Sequence, residues 1–377
     1  MRLEELIKEF ELFCPQEWIY TGDRVGLFCG DRKRAIEKVL LALDPTDAVI
    51  EEAIQGGFDL LFTHHPLTRN EFKSVLKDDR KTGKIYRAIQ HDLAIYSAHT
   101  NLDFAPFGVS VTLAEILGVE IERPLYDKST EKLYKLVVFV PEDNFELFRK
   151  QILDIGIGNI GNYSHCSFST SGEGTFKPTS GANPYIGKIG KLEKVNELRL
   201  ETIVPAHLLG RAIRAVNDYH PYEEPALDIY PLENDKIKGG FGVIGNLPKI
   251  MSINSIAELC AEKLPTYEIR YIGDAERVVR KVAILGGSGD LFIEQVISSG
   301  ADLYITGELK HHSALELAEA GISAIVSGHF GTEWIVLPRL KNILTQIFER
   351  FDQRGEIVIS DAEQPIFRMA HLVSEIK

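Results

Sequence analysis

Two histidines stand side by side in Thr63-His64-His65-Pro66, directly after the apolar run Leu60-Leu61-Phe62. Far downstream, Gly328-His329-Phe330-Gly331-Thr332-Glu333 places an imidazole and a carboxylate four residues apart. Imidazole nitrogens and carboxylate oxygens are the donors that borderline divalent cations take. Consecutive side chains on a strand point to opposite faces, so His64 and His65 address one crevice only across a turn, which Pro66 would enforce. Each ring then suits a different ion. If a helix begins near Gly328, His329 and Glu333 share one of its faces. In Ala98-His99-Thr100-Asn101-Leu102-Asp103, the two oxygens of Asp103 can bridge cations about 3.5–4 Å apart. His99 suits orienting a ligand or moving protons, and Glu333 is a second candidate for proton transfer. Plain alternatives stay open: loop histidines at 64 and 65, a helix cap at Asp103, and a surface helix pair at 329 and 333.

His64, His65, Asp103, His329 and Glu333 make a ligand set free of thiolate. It suits two divalent ions, zinc foremost, with iron, manganese or cobalt as alternatives. Five protein ligands shared by two ions leave positions for water and substrate, as a catalytic site requires.

Groups so distant in sequence meet only if the fold delivers them to one crevice, as open α/β sheets do at the carboxyl ends of their strands. The expected elements fit that scheme. Strands are expected at 36–43, 58–62 and 93–97, with helices at 47–55 and 84–91. Further strands are expected at 282–285, 303–305 and 324–326, with helices at 291–298, 309–320 and 333–349. This alternation implies an α/β domain with a mostly parallel sheet and helices on both faces. Between the two parts, strand, helix, strand, strand, helix, strand at 132–141, 143–153, 166–170, 197–204, 206–218 and 226–230 suggests an inserted ferredoxin-like α+β domain. The Gly-, Ser-, Thr- and Pro-rich stretch 171–190 reads as a long loop. The expected domains are 1–128 and 248–377 for the α/β parts and 129–247 for the insertion.

Lesser motifs border the candidate site. Gly286-Gly287-Ser288-Gly289 reads as an anion-binding nest or a tight turn. Thr306-Gly307-Glu308 follows another strand, and Asp23 lies in Thr21-Gly22-Asp23, so both can approach the same crevice. Tyr219-His220-Pro221-Tyr222 is explained by helix termination.

Composition narrows the function classes. With 377 residues, 44% hydrophobic and 26% charged, the chain suits folded domains rather than disorder. A net charge of -13 repels phosphate backbones and anionic lipid, which disfavours nucleic-acid binding and membrane docking. The acidic residues in Met1-Arg2-Leu3-Glu4-Glu5 do not fit a secretory signal. Cys14, Cys29, Cys166 and Cys260 lack any Cys-x-x-Cys spacing, so reduced thiols and a cytoplasmic location are expected.

Taken in order, Gly26-Leu27, Thr63-His64-His65-Pro66, His99-Thr100-Asn101-Leu102-Asp103, Gly286-Gly287-Ser288-Gly289, Thr306-Gly307-Glu308 and Gly328-His329-Phe330-Gly331-Thr332-Glu333 resemble the GTP cyclohydrolase I type 2 homolog family, also called the Nif-three-like family. The inserted segment resembles the PII-like or CutA-like domain of its longer bacterial members. The resemblance implies a dinuclear metal site held by His64, His65, Asp103, His329 and Glu333, a toroidal homohexamer, and GTP cyclohydrolase chemistry on a small molecule, a nucleotide by the family's name. Arg24, Phe330 and Thr68-Arg69 depart from the family's usual pattern. Two functions follow as expectations: a metal-dependent hydrolase with a metal-activated water as nucleophile, or a metal-binding regulatory or trafficking protein whose insertion senses a ligand.

Overall fold

The apolar runs at 38–42, 60–63 and 94–97 form adjacent parallel strands, Lys38–Ala42, Leu60–Thr63 and Ala94–Ser97. The structure is a computed structural model that describes residues 1–127, 132–160, 163–233, 239–266 and 268–368. Two compact units divide the chain: Met1–Lys128 with Lys238–Lys377, and Ser129–Ile237.

In the larger unit, one five-stranded sheet runs Gly26–Cys29, Ala94–Ser97, Leu60–Thr63, Lys38–Ala42, Glu356–Ile359. Period-two alternation sends Leu41, Phe62 and Tyr96 to one face, against the helices Leu3–Phe10 and Leu337–Arg350. The opposite face carries Leu40, Leu61 and Ile95 against the helices Asp47–Gln55 and Thr82–Gln90. Burial on both faces explains why these strands read as unbroken apolar runs.

A six-stranded sheet in the same unit runs Arg270–Ile272, Ser323–Val326, Leu303–Glu308, Val278–Ser288, Phe241–Ser252, Glu120–Tyr126. It too has two buried faces, one with Ile284 and Ile305, the other with Ala283 and Tyr304. The expectation of a mostly parallel sheet is corrected here. Gly26–Cys29, Arg270–Ile272, Phe241–Ser252 and Glu120–Tyr126 all pair antiparallel, so both sheets are mixed. The parallel pairs lie in the central βαβ stretches, where a helix returns the chain to the starting edge, and at the edge strand Glu356–Ile359, which runs parallel to Lys38–Ala42. Phe241–Ser252 lies wholly in this sheet, so the second part of the larger unit begins near 238 and not at 248.

The smaller unit follows the order strand, helix, strand, strand, helix, strand. Its sheet runs Ser167–Phe176, Glu193–Pro205, Leu133–Pro141, Leu227–Leu232, antiparallel throughout. The stretch expected as a loop from 171 is strand as far as Phe176, paired with Glu193–Pro205. Pairing along a long ribbon overrides the weak strand preference of its Gly, Ser and Thr residues.

Among the described residues, no helix is long and apolar enough to cross a membrane.

Candidate metal centre

The centre forms at the carboxyl ends of strands from both sheets of the larger unit. Beyond Leu60–Thr63 the backbone keeps bonding to its neighbour: His64 N donates to Ala42 O at 3.1 Å and His65 N to Leu43 O at 2.8 Å. Thr63 Oγ1 donates to His65 O at 2.8 Å and accepts from Ser97 Oγ at 2.7 Å, which closes the turn after the strand. The Ser323–Val326 strand ends before Gly328, whose φ of +80° turns the chain into the short helix His329–Glu333.

Each metal-type imidazole is anchored through Nδ1. His64 Nδ1 lies 2.9 Å from the carbonyl of Ala98; a carbonyl only accepts, so Nδ1 carries the proton and Nε2 presents a lone pair. His65 Nδ1 lies 2.8 Å from Asp44 Oδ1, and His329 Nδ1 3.1 Å from Glu308 Oε1. The three Nε2 atoms face one place. His65 Nε2 and His329 Nε2 are each 3.0 Å from Glu333 Oε2 and 3.4 Å from one another. His64 Nε2 is 4.0 Å from the same oxygen and 3.6 Å from Asp103 Oδ1. Asp103 comes from the helix Thr100–Phe104 that follows the Ala94–Ser97 strand.

Among the described residues, His64 Nε2 is buried without a hydrogen-bond partner. Such an orphaned acceptor is costly in a native interior, and its convergence with Asp103 Oδ1 and Glu333 Oε2 fits a cation. His65, His329 and Glu333 form a group that can hold a metal ion, and so do His64, His65 and His99; the donor atoms within each lie within 4.8 Å of one another. His99 reaches the centre from the side. Its Nδ1 sits 2.7 Å from Asp23 Oδ2, and its ring centroid lies 5.3 Å from that of His64 and 5.5 Å from that of His65.

Electrostatics separates these groups. Burial pushes His64 down to about 3, keeping it neutral. Burial, then the neighbouring Glu333 carboxylate, pushes Asp103 well above the ordinary carboxylate range. Glu333 goes the other way: burial opposes ionisation, but His65 and His329 hold it well below its usual value. Burial likewise opposes protonation of His329, and Glu333 overcomes it, raising the imidazole to about 9. Asp23, although burial works against it, is held down to about 2 by His99 and Thr100. Protons and a metal ion compete for the same lone pairs here.

Space for the carboxylate is provided by glycine. Gly287 has φ +68°, and a Cβ there would fall 1.9 Å from Glu333 Oε1. Its N–H donates to Thr332 Oγ1 at 3.0 Å, and its carbonyl accepts from Thr306 Oγ1 at 3.3 Å. Gly286-Gly287-Ser288 thus ends a strand and makes room beside Glu333 and His329.

All five residues expected as ligands come together, and Asp23 and Glu308, expected only as neighbours, prove to be the partners of His99 and His329. Sequence reasoning missed Asp44 and Glu363. Asp44 follows an apolar strand directly, the one signal that could have pointed to it. Glu363 has none: its carboxylate accepts from Leu43 N at 2.8 Å and Asp44 N at 2.6 Å, and burial raises it to about 7.

Two cavities open onto the centre. One of about 440 Å³ is lined by His65, His329, Phe330, Arg69 and the segment from Pro365 to Arg368. The other, about 340 Å³, is lined by His99, Asp103, Glu333, His329, Tyr20 and Arg69. Arg69 lines both, and among the described residues it has no ion-pair or hydrogen-bond partner.

The profile of the Duf34/NIF3 (NGG1p interacting factor 3) family matches residues 1–365. A Bacillus subtilis (strain 168) protein named GTP cyclohydrolase 1 type 2 homolog is 40% identical over 327 residues, covering 87% of this chain and 88% of its own length. A Halalkalibacterium halodurans protein of the same name is 38% identical over 364 residues, covering 97% and 98%. The crystal structure of a Bacillus cereus protein related to NIF3 superposes with a TM-score of 0.83 at 38% identity, covering 98% of this chain and 99% of its own.

Proposed function

The chain belongs to the Duf34/NIF3 family, and we propose that it is a dinuclear metal-dependent hydrolase acting on a small anionic molecule. The observation that carries this reading is the convergence of three Nδ1-anchored imidazoles on Glu333 and Asp103, with His64 Nε2 left unpartnered among the described residues. His64, His65, Asp103, His329 and Glu333 would hold two divalent ions. Bound there, such ions supply Lewis acidity and make water a nucleophile near neutral pH.

The chain's own groups complete the chemistry. Asp23, kept ionised, fixes the His99 ring through Nδ1, which leaves Nε2 to take or give a proton at the centre. Glu333 is buried between two imidazoles and serves as a ligand, so proton transfer falls to His99. Arg69, common to both cavities and without a partner among the described residues, suits a phosphate or carboxylate on the substrate. The strand order of the smaller unit supports a PII-like or CutA-like reading of it, with ligand sensing as its role. The assembly we propose is a toroidal homohexamer in the cytoplasm.

The test is turnover by protein loaded with zinc or manganese against nucleotides, cyclic amides and phosphoesters. Hydrolysis that disappears in His64→Ala supports the reading; inactivity of fully metal-loaded protein on the whole panel rejects it. Arg69→Gln should raise KM for an anionic substrate about 10- to 150-fold, since a hydrogen bond to a charged group contributes about 1.5–3 kcal/mol, with kcat little changed. An unaltered KM would remove Arg69 from substrate binding.

A further inference from the structure

We propose that Glu363 is a positioning residue of the metal centre, fixing Asp44 and through it the imidazole of His65. The inference rests on His65 being a ligand, and it extends the centre to a segment that no motif marks.

The path is continuous. Glu356–Ile359 joins the edge of the first sheet parallel to Lys38–Ala42, with Ile359 opposite Leu41. Ser360 N then donates to Leu41 O at 2.8 Å. Glu52 gathers the next turn, accepting from Asp361 N at 3.0 Å and Ala362 N at 3.3 Å. Where Glu356–Ile359 no longer runs beside the chain, the N–H groups of Leu43 and Asp44 need new acceptors, and the two oxygens of Glu363 meet them, one each. From the other side, His65 N donates to Leu43 O at 2.8 Å. The backbone that carries Asp44 is therefore clamped on both sides, and Asp44 Oδ1 in turn holds His65 Nδ1 at 2.8 Å. That bond sets where Nε2 points, 3.0 Å from Glu333 Oε2.

This partly buried carboxylate takes its two backbone amides beyond the paired stretch of the strand, whose last register pair is Ile359 with Leu41. What it adds is a fixed ring orientation, and partners of this outer kind govern metal affinity by about 10- to 100-fold. Shortly beyond it, Pro365 to Arg368 form part of the wall of the larger cavity.

The experiment is calorimetric titration of the full-length, metal-free chain with Co²⁺ alone, for wild type, Glu363→Gln, Asp44→Ala and the double variant. Glu363→Gln retains the size of the side chain but replaces one acceptor with an amide donor, which repels an N–H. We expect Glu363→Gln and Asp44→Ala each to weaken Co²⁺ binding about 10- to 100-fold, and the double variant to bind as weakly as Asp44→Ala alone, because both act along one path. Glu363→Asp, too short to reach both amides, should give a partial loss, and it serves as the second variant if the first misfolds. Wild-type affinity in Glu363→Gln overturns the inference, as do losses that multiply in the double variant. Absence of Co²⁺ binding by the wild type would instead overturn the metal reading itself.

Discussion

Glu333→Gln should lower divalent-cation affinity by more than about 100-fold, beyond the loss that follows removal of an outer partner, while the fold still assembles. Glu333 Oε2 lies within 4.0 Å of all three imidazole Nε2 atoms, and a neutral amide there offers a cation neither charge nor a free choice of lone pair. Metal content after dialysis and calorimetric titration read the effect. Affinity equal to wild type would mean the ions, if bound, sit elsewhere. The same variant has a pH signature. His329 is raised to about 9 because Glu333 outweighs its burial. A histidine whose folded value is raised contributes stability that is complete below its ordinary 6.5 and is lost as pH rises through the folded value. The stability gap between wild type and Glu333→Gln should therefore be open at pH 6 and narrow through about 9, as read by urea unfolding of the metal-free proteins.

The second large effect is expected at Gly287. Gly287→Ala places a methyl group 1.9 Å from Glu333 Oε1 and 3.4 Å from His329 Nε2, at a backbone φ of +68°. The backbone conformation alone costs on the order of 1–3 kcal/mol for a residue with a Cβ, and the clash must displace the carboxylate. Gly57 separates the two contributions, because its φ is +63° but a Cβ there meets nothing within 4 Å. Gly57→Ala should lose stability with metal affinity intact, whereas Gly287→Ala should lose both. Unchanged metal binding in Gly287→Ala would show that Glu333 is not held as described.

Much of the central architecture was legible. The runs expected as strands at 36–43, 58–62 and 93–97 correspond to Lys38–Ala42, Leu60–Thr63 and Ala94–Ser97, because a strand buried on both faces must be apolar at every position. Less visible were the strands that make the sheets mixed. Gly26–Cys29 and Glu120–Tyr126 are partly exposed, and only pairing across the sheet defines their direction. The strand Glu356–Ile359, absent from the sequence-based expectation, takes its place from a partner more than 300 residues away.

At the site the division is sharper. Residue types and local spacing determined by themselves which donors are available: adjacent imidazoles after an apolar run, and a histidine and glutamate one helical turn apart. Donor chemistry is a property of the side chain, and short-range geometry follows from the period of the element carrying it. Tertiary structure alone decided that these donors meet, that Asp44, Asp23 and Glu308 anchor their rings, and that Glu363 braces the first of those anchors. The physical reason is that an anchoring carboxylate carries no local periodicity. Its role arises from a contact closed through folding, and nothing in the neighbouring residues announces it.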